Sequence, residues 1–291
     1  MNNIRIIKRA EVLGYCMGVR KAVDAVFSVI KQGHGNVLTY GPLIHNPATM
    51  RALQKEGVKI LDPESFEPDS KLAGNTVIIR AHGISPEKRV ALENSGARLV
   101  DATCPRVVSS QMRAKKHAEK GLPVILAGDK NHGELIGIAG YVRSVKGAQC
   151  FGVQNAEEAA RLSFDADEAV LIAQTTIKQS EYNAIADVLR RKVKNLLVLN
   201  TICSATEERQ IALKKLSLEV DAVLIIGGKN SANTQRLLQT AKDIPLPAWL
   251  VETAKDIPKE IYQFRSVGIS AGASTPDFII DQVEKALRET H

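Results

Sequence analysis

The chain predicts an α/β protein of three small domains with parallel sheets, set in a pseudo-threefold (trefoil) arrangement. Three observations carry that reading. Short apolar runs alternate with helical patterns along the whole length, as they do in parallel-sheet α/β units. Cys16, Cys104 and Cys203 divide the chain roughly into thirds, each between a strand-like run and a helical one. Polar residues then recur at matching distances. His45, His132 and Ser231 follow their cysteines at offsets that agree to within one residue, and His82, Thr175 and Ser274 at offsets that agree to within five. Repetition of this kind marks a duplicated structural unit.

The first domain is expected over residues 1–102. Residues 12–15 lead into Cys16, and Val19, Ala22, Val23 and Val26 follow at helical spacing. Residues 37–40 read as a strand before the turn His45-Asn46-Pro47, residues 50–55 as a helix, and residues 77–81 as a strand running into His82-Gly83. The second domain is expected over residues 103–200. Residues 97–100 lead into Asp101-Ala102-Thr103-Cys104-Pro105, and a proline suits the first turn of a helix, where a missing N–H costs nothing. Residues 124–127 form the next strand, before Asn131-His132-Gly133-Glu134, and residues 170–173 the one after, before Gln174-Thr175-Thr176. The third domain is expected over residues 201–291. Residues 196–200 precede Cys203, and residues 222–226 end before Lys229-Asn230-Ser231-Ala232-Asn233. Residues 234–238 are helical, and residues 267–271 run into Gly272-Ala273-Ser274. Ligands of parallel sheets collect at the carboxyl ends of strands, beside helix N-termini, and every polar residue just named falls at such an end.

The totals narrow the function. A hydrophobic content of 44% and a charged content of 24% are those of a globular protein with a substantial core. No apolar run approaches the length of a membrane span. Residues 1–5 lack the basic-then-apolar layout of a secretory signal, so a cytoplasmic location is expected. Four widely spaced cysteines do not make a disulfide framework. The net charge of +7 favours an anionic partner, while scattered basic residues and 4% aromatics argue against a nucleic-acid platform.

A cysteine at a strand–helix junction lies near free backbone donors and the positive end of the helix dipole, which favours the thiolate. Three such cysteines without a Cys-x-x-Cys pair admit three readings. An iron–sulfur cluster on three thiolates leaves one iron open for a substrate oxygen. Zinc held with a histidine would make the chain a non-redox binding module, although structural zinc favours closely spaced ligand pairs. Plain core cysteines would leave a phosphoryl-group enzyme. His45, His82, His132, Ser231, Asn233 and Ser274 suit phosphate oxygens as hydrogen-bond donors. Glu134 is the one carboxylate in the polar turns; it suits proton transfer or, equally, a helix N-terminus. Thr175 suits a substrate hydroxyl or the end of a β-branched strand. Cys150 has no counterpart in the other thirds and is expected to be structural. Gly227-Gly228-Lys229 lacks the full Walker spacing, and His34, His117 and His291 receive no role.

Taken together, the motifs resemble those of the IspH/LytB family, reductases of 4-hydroxy-3-methylbut-2-enyl diphosphate in the non-mevalonate isoprenoid pathway. The resemblance spans nearly the whole chain. It rests on Gly14-Tyr15-Cys16-Met17-Gly18-Val19, Gly41-Pro42-Leu43-Ile44-His45-Asn46, Arg80-Ala81-His82-Gly83, Asp101-Ala102-Thr103-Cys104-Pro105, His132-Gly133-Glu134, Gln174-Thr175-Thr176, Ile202-Cys203-Ser204-Ala205-Thr206, Lys229-Asn230-Ser231-Ala232-Asn233 and Ala271-Gly272-Ala273-Ser274-Thr275-Pro276-Asp277. It implies a central [4Fe-4S] cluster on Cys16, Cys104 and Cys203. It also implies a diphosphate cradled by His45, His82, His132, Ser231, Asn233 and Ser274, with Thr175 and Glu134 at the substrate hydroxyl and Glu134 delivering protons. The products would be isopentenyl and dimethylallyl diphosphate. The electron donor would be an external carrier such as ferredoxin or flavodoxin, with neither nucleic acid nor membrane as a partner. Two departures are visible. The family commonly has Ser-Ser-Asn where this chain has Ser231-Ala232-Asn233, and His-Pro-Glu where it has His132-Gly133-Glu134. Glycine at 133 is expected to loosen that turn.

Overall fold

The computed structural model describes residues 3–33, 35–44, 46–67 and 71–289. The elements begin with β1 (Ile6–Arg9), α1 (Met17–Gln32), β2 (Asn36–Tyr40), α2 (Pro47–Lys55), β3 (Lys59–Leu61), β4 (Asn75–Ile79), α3 (Pro86–Asn94) and β5 (Arg98–Asp101). They continue with α4 (Pro105–Glu119), β6 (Val124–Ala127), α5 (Gly133–Arg143), β7 (Cys150–Val153), α6 (Ala156–Arg161), β8 (Glu168–Ala173), α7 (Gln179–Arg190) and β9 (Asn195–Leu199). The last are α8 (Ala205–Leu216), β10 (Ala222–Ile226), α9 (Ala232–Lys242), β11 (Ala248–Val251), β12 (Ser266–Ala271) and α10 (Asp277–Glu289).

The strands form three four-stranded sheets, ordered β3-β2-β4-β5, β7-β6-β8-β9 and β1-β12-β10-β11. All described pairings are parallel. Every strand read from the apolar runs of the second and third sheets is present, and β2, β4 and β5 fall where expected. The sequence reading lacked β1 and the edge strands β3, β7 and β11. β3 is short and exposed on its solvent face, so it carries no strong apolar signal. β1 also replaces an expected element. Residues 12–15 form a loop rather than a strand, because Gly14 turns there with a φ of 68°, a left-handed conformation that glycine adopts freely. β1 pairs with β12, so a strand from the stretch assigned to the first domain completes the third sheet.

Burial explains why central strands read as unbroken apolar runs. In β6 and β8, Ile125, Ala127, Leu171 and Ala173 face one apolar layer with Tyr182, Ile185 and Leu189 of α7. Val124, Leu126, Val170 and Ile172 face the opposite layer with Ile138 and Val142 of α5. The third sheet divides likewise, Leu224, Ile226 and Ile269 on one side and Val223 and Ile225 on the other. A parallel sheet covered on both faces needs apolar residues at every position. Helices begin with conventional caps: Asn46, Ser85, Asn155 and Ser231 each accept a backbone N–H of the first turn. The helix α10 turns Ile279, Ile280, Val283 and Leu287 inward, an amphipathic pattern with one apolar stripe.

By their internal contacts the residues gather into two compact units. One comprises residues 1–20, 44–56 and 204–291; the other comprises residues 21–43 and 57–203. The second unit holds two of the sheets and the first holds one.

Tyr182 tests this packing. It is buried, and its hydroxyl donates to the carbonyls of Leu171 at 2.9 Å and Leu199 at 2.7 Å, joining β8 to β9. Tyr182→Phe keeps the ring and strips both acceptors of a donor. Urea unfolding should show a loss of about 1–3 kcal/mol; an unchanged midpoint would mean that the hydroxyl contributes nothing.

Candidate functional site

Each junction cysteine is placed by the same backbone bond. The N–H of Cys104 donates to the carbonyl of Ala81 at 3.0 Å, that of Cys203 to Thr175 at 2.8 Å, and that of Cys16 to Ala273 at 3.0 Å. Ala81 precedes His82, and Ala273 precedes Ser274. Each cysteine is therefore tied to the strand end of the sheet before it in the repeat, Cys16 closing the cycle on the third sheet. A repeat period cannot reveal that exchange.

Side-chain chemistry separates these three from the fourth cysteine. All four are half-buried and outside disulfides. Cys104 occupies the N-cap position of α4 yet makes no side-chain bond to that helix, which leaves its sulfur to other ligands. Cys150 begins the edge strand β7 and packs beside the apolar layer of α5. Burial pushes its thiol up to about 11, which keeps it protonated and inert. Its structural reading agrees with this environment. Among the described residues, no three His, Cys, Asp or Glu side chains gather closely enough to hold a single metal ion. Three thiols that each precede a helix are a donor set that fits an iron–sulfur cluster, whose several irons spread its ligands apart.

In the larger unit the structure brings His82, His132, Glu134 and Thr175 together. The rings of His82 and His132 stand edge to face with centroids 4.7 Å apart. His132 caps α5, its Nδ1 accepting the N–H of Glu134 at 3.2 Å. An accepting Nδ1 puts the neutral ring's proton on Nε2, which is then a donor. The Glu134 side chain is buried at 1% exposure. Its carboxyl accepts the Thr175 N–H and the Thr175 hydroxyl, both at 2.7 Å. Burial pushes its pKa up, and the two Thr175 donors pull the other way. Gly133 is the first residue of α5, and its neighbour's carboxyl is held at both oxygens.

In the smaller unit, Ser231 caps α9 by accepting the Thr234 N–H at 3.3 Å. Asn233, in the first turn of that helix, has both side-chain polar atoms buried with no protein partner among the described residues. A buried amide left so costs free energy unless a polar ligand meets it. Ser274 is half-buried just past β12. His45 lies outside the described residues, as does the side chain of Ala232.

Sequence reasoning missed three residues that shape these turns. Gln174 accepts the Asp129 N–H at 2.9 Å, joining the loops after β6 and β8. Arg209, 2% exposed, reaches from α8 to the carbonyl of Gly14 at 2.7 Å, bracing the loop before Cys16. Arg80 lies against Gly133 at the start of α5. Gln174 and Arg80 lie inside motifs already singled out, whereas Arg209 gave no signal in a charged helix.

Known proteins match the chain over most of their own length. The 4-hydroxy-3-methylbut-2-enyl diphosphate reductase of Treponema denticola is 57% identical over 292 residues, covering 98% of this chain and 99% of its own. The enzyme of the same name from Aquifex aeolicus is 40% identical, covering 96% of this chain and 95% of its own. A solved structure of (E)-4-hydroxy-3-methyl-but-2-enyl diphosphate reductase, the terminal enzyme of the non-mevalonate pathway, superposes with a TM-score of 0.85. It is 39% identical and covers 98% of this chain and 100% of its own. The reductase structure from Plasmodium falciparum matches with a TM-score of 0.77 at 26% identity, over 98% of this chain and 87% of its own. With these relatives, and with the LytB protein family model matching residues 7–288, the chain belongs to the LytB protein family.

Proposed function

We propose that the chain is a 4-hydroxy-3-methylbut-2-enyl diphosphate reductase. It removes the substrate hydroxyl as water, with two electrons and two protons, and leaves isopentenyl or dimethylallyl diphosphate. The observation that carries this reading is the buried Glu134 carboxyl on Thr175, beside the paired imidazoles of His82 and His132. Cys16, Cys104 and Cys203 hold a [4Fe-4S] cluster, which when bound supplies electrons and a Lewis-acidic iron. The electrons come from an external carrier such as ferredoxin or flavodoxin. No described helix is long and apolar enough to cross a membrane, and the proposed location is the cytoplasm. The sheets correspond to three domains, divided near residues 102 and 200, with β1 completing the third.

The chain's own residues bind and protonate. His82, His132, Ser231, Asn233 and Ser274 are the proposed diphosphate ligands, with His45 completing the set. The Nε2–H of His132 can donate to a phosphate oxygen because Nδ1 is committed to its own helix. Asn233 brings an amide whose polar atoms lack a protein partner, so ligand binding leaves nothing to break. Hydroxide is a poor leaving group, and a proton must reach its oxygen as the C–O bond breaks. Glu134, with its pKa raised by burial, holds that proton at a higher pH than an exposed carboxyl would. The Thr175 hydroxyl donates to Glu134 at 2.7 Å; once it turns to the leaving oxygen, Thr175 passes a proton to that oxygen and accepts one from Glu134.

Anaerobic purification followed by iron, sulfide and zinc analysis tests the cofactor. Iron with sulfide is expected; zinc alone, or no metal, would overturn the assignment. Cys104→Ser should lose most of the iron, because a hydroxyl is a far poorer ligand than a thiolate. Cys150→Ser should keep it.

Glu134→Gln tests proton delivery. Iron content and diphosphate binding should persist, while turnover falls by about a hundredfold to ten-thousandfold. Turnover within about threefold of the parent would retire the role. Stability gives an independent check. A carboxyl with a raised folded-state pKa stabilises fully below its unfolded value, about 4.3, and loses that contribution as pH rises through the folded value. The melting-temperature advantage of the parent over Glu134→Gln should therefore shrink as pH rises above about 4.3. An advantage that grows with pH would mean that the site favours the carboxylate.

A further inference from the structure

A guanidinium stands against the first residue of the helix that His132 caps. Arg80 follows β4 and precedes His82 by two residues. Its Nε is buried without a partner, as is the hydroxyl of Tyr40. Burial pushes the guanidinium's pKa down, and Tyr40 is the one group that pulls it back. No carboxylate among the described residues compensates it.

Two glycines flank the guanidinium. A β-carbon on Gly41 would lie 2.9 Å from Nη1, and one on Gly133 would overlap Nη2 and lie 3.1 Å from Cζ. Gly41 has a φ of 72°, so its backbone alone calls for glycine. Gly133 is not among the glycines with positive φ. It begins α5, a position open to most side chains and favourable to proline. A side chain at 133 would push the end of the Arg80 guanidinium aside.

We propose that Arg80 is a positioning residue for the turn that carries His132 and Glu134. Its guanidinium occupies the space that a side chain at 133 would fill, and its unpaired charge strengthens the hold of His82 and His132 on an anion. The second part rests on the diphosphate reading of that imidazole pair. A cation against the first turn of a helix meets the positive end of the dipole, and burial adds a desolvation cost. With no carboxylate to offset either, a bound anion relieves both.

The full-length, anaerobically purified protein tests this with inorganic diphosphate as the probe, followed by calorimetry beside iron content and thermal melting. Arg80→Met keeps the length and removes the charge. Diphosphate binding should weaken by about tenfold, the deficit should shrink at high salt, and iron content should hold. Gly133→Ala should displace the guanidinium and lower diphosphate affinity in the parent, with at most a small fall in melting temperature. In an Arg80→Ala background, where the space is open, it should leave both unchanged. Binding by Arg80→Met equal to the parent's, at low salt, overturns the charge role. Equal damage by Gly133→Ala in both backgrounds overturns the packing role. The reductase reading fails separately, as an iron-loaded parent that binds diphosphate and leaves the substrate hydroxyl in place. The Arg80 comparison is read from binding and melting alone.

Discussion

The backbone N–H of each junction cysteine donates to a carbonyl just past a strand end, at Ala81, Thr175 or Ala273. A main-chain donor inside a protein must find an acceptor, and here the acceptor belongs to a rigid sheet. The same carbonyl sits at or next to a residue proposed to meet the substrate: His82 after Ala81, Thr175 itself, and Ser274 after Ala273. The sulfur and the substrate-facing side chain in each repeat thus hang from a single peptide link. A shift of one displaces the other. This link accounts for why cysteine, turn and helix start recur as a block.

Electrostatics in the larger unit depends on that framework. Glu134 is buried against Thr175, and its acid form is favoured by desolvation. The His132 ring is committed to its helix through one nitrogen and leaves the other as a donor. Arg80 adds a charge that no carboxylate among the described residues offsets. Burial thus acts on both groups, favouring the acid form of Glu134 and disfavouring the charged form of Arg80.

Much of this was legible in the sequence. The central strands announced themselves because double-sided burial forces unbroken apolar runs, as at residues 124–127 and 222–226. The polar turns were legible because strand ends and helix starts have distinctive residues, such as Pro105 after Cys104 and Ser231 before α9. What was not legible depends on partners distant in the chain. β1 reads as a short charged segment until β12 supplies its pairing. The bond from Cys203 to Thr175 crosses from one repeat to the sheet of another. The approach of Arg80 to Gly133 likewise joins residues far apart in sequence.

The pairing of β1 with β12 also bears on how the protein is made. A ribosome releases Ile6–Arg9 early and Ser266–Ala271 late, so the third sheet cannot close until nearly the whole chain has emerged. The two sheets of the larger unit draw on residues 36–199 and can form first, domain by domain, as nascent chains do. Cys16 waits with β1, because its anchoring carbonyl at Ala273 arrives after β12. Closing so long a loop is slow, though its entropic cost grows only logarithmically with length. Until then the third sheet lacks its outer strand and exposes an unpaired edge. The nascent protein is thus most open to misassembly at the seam where β1 meets β12, and the anchoring of Cys16 becomes a late event in folding.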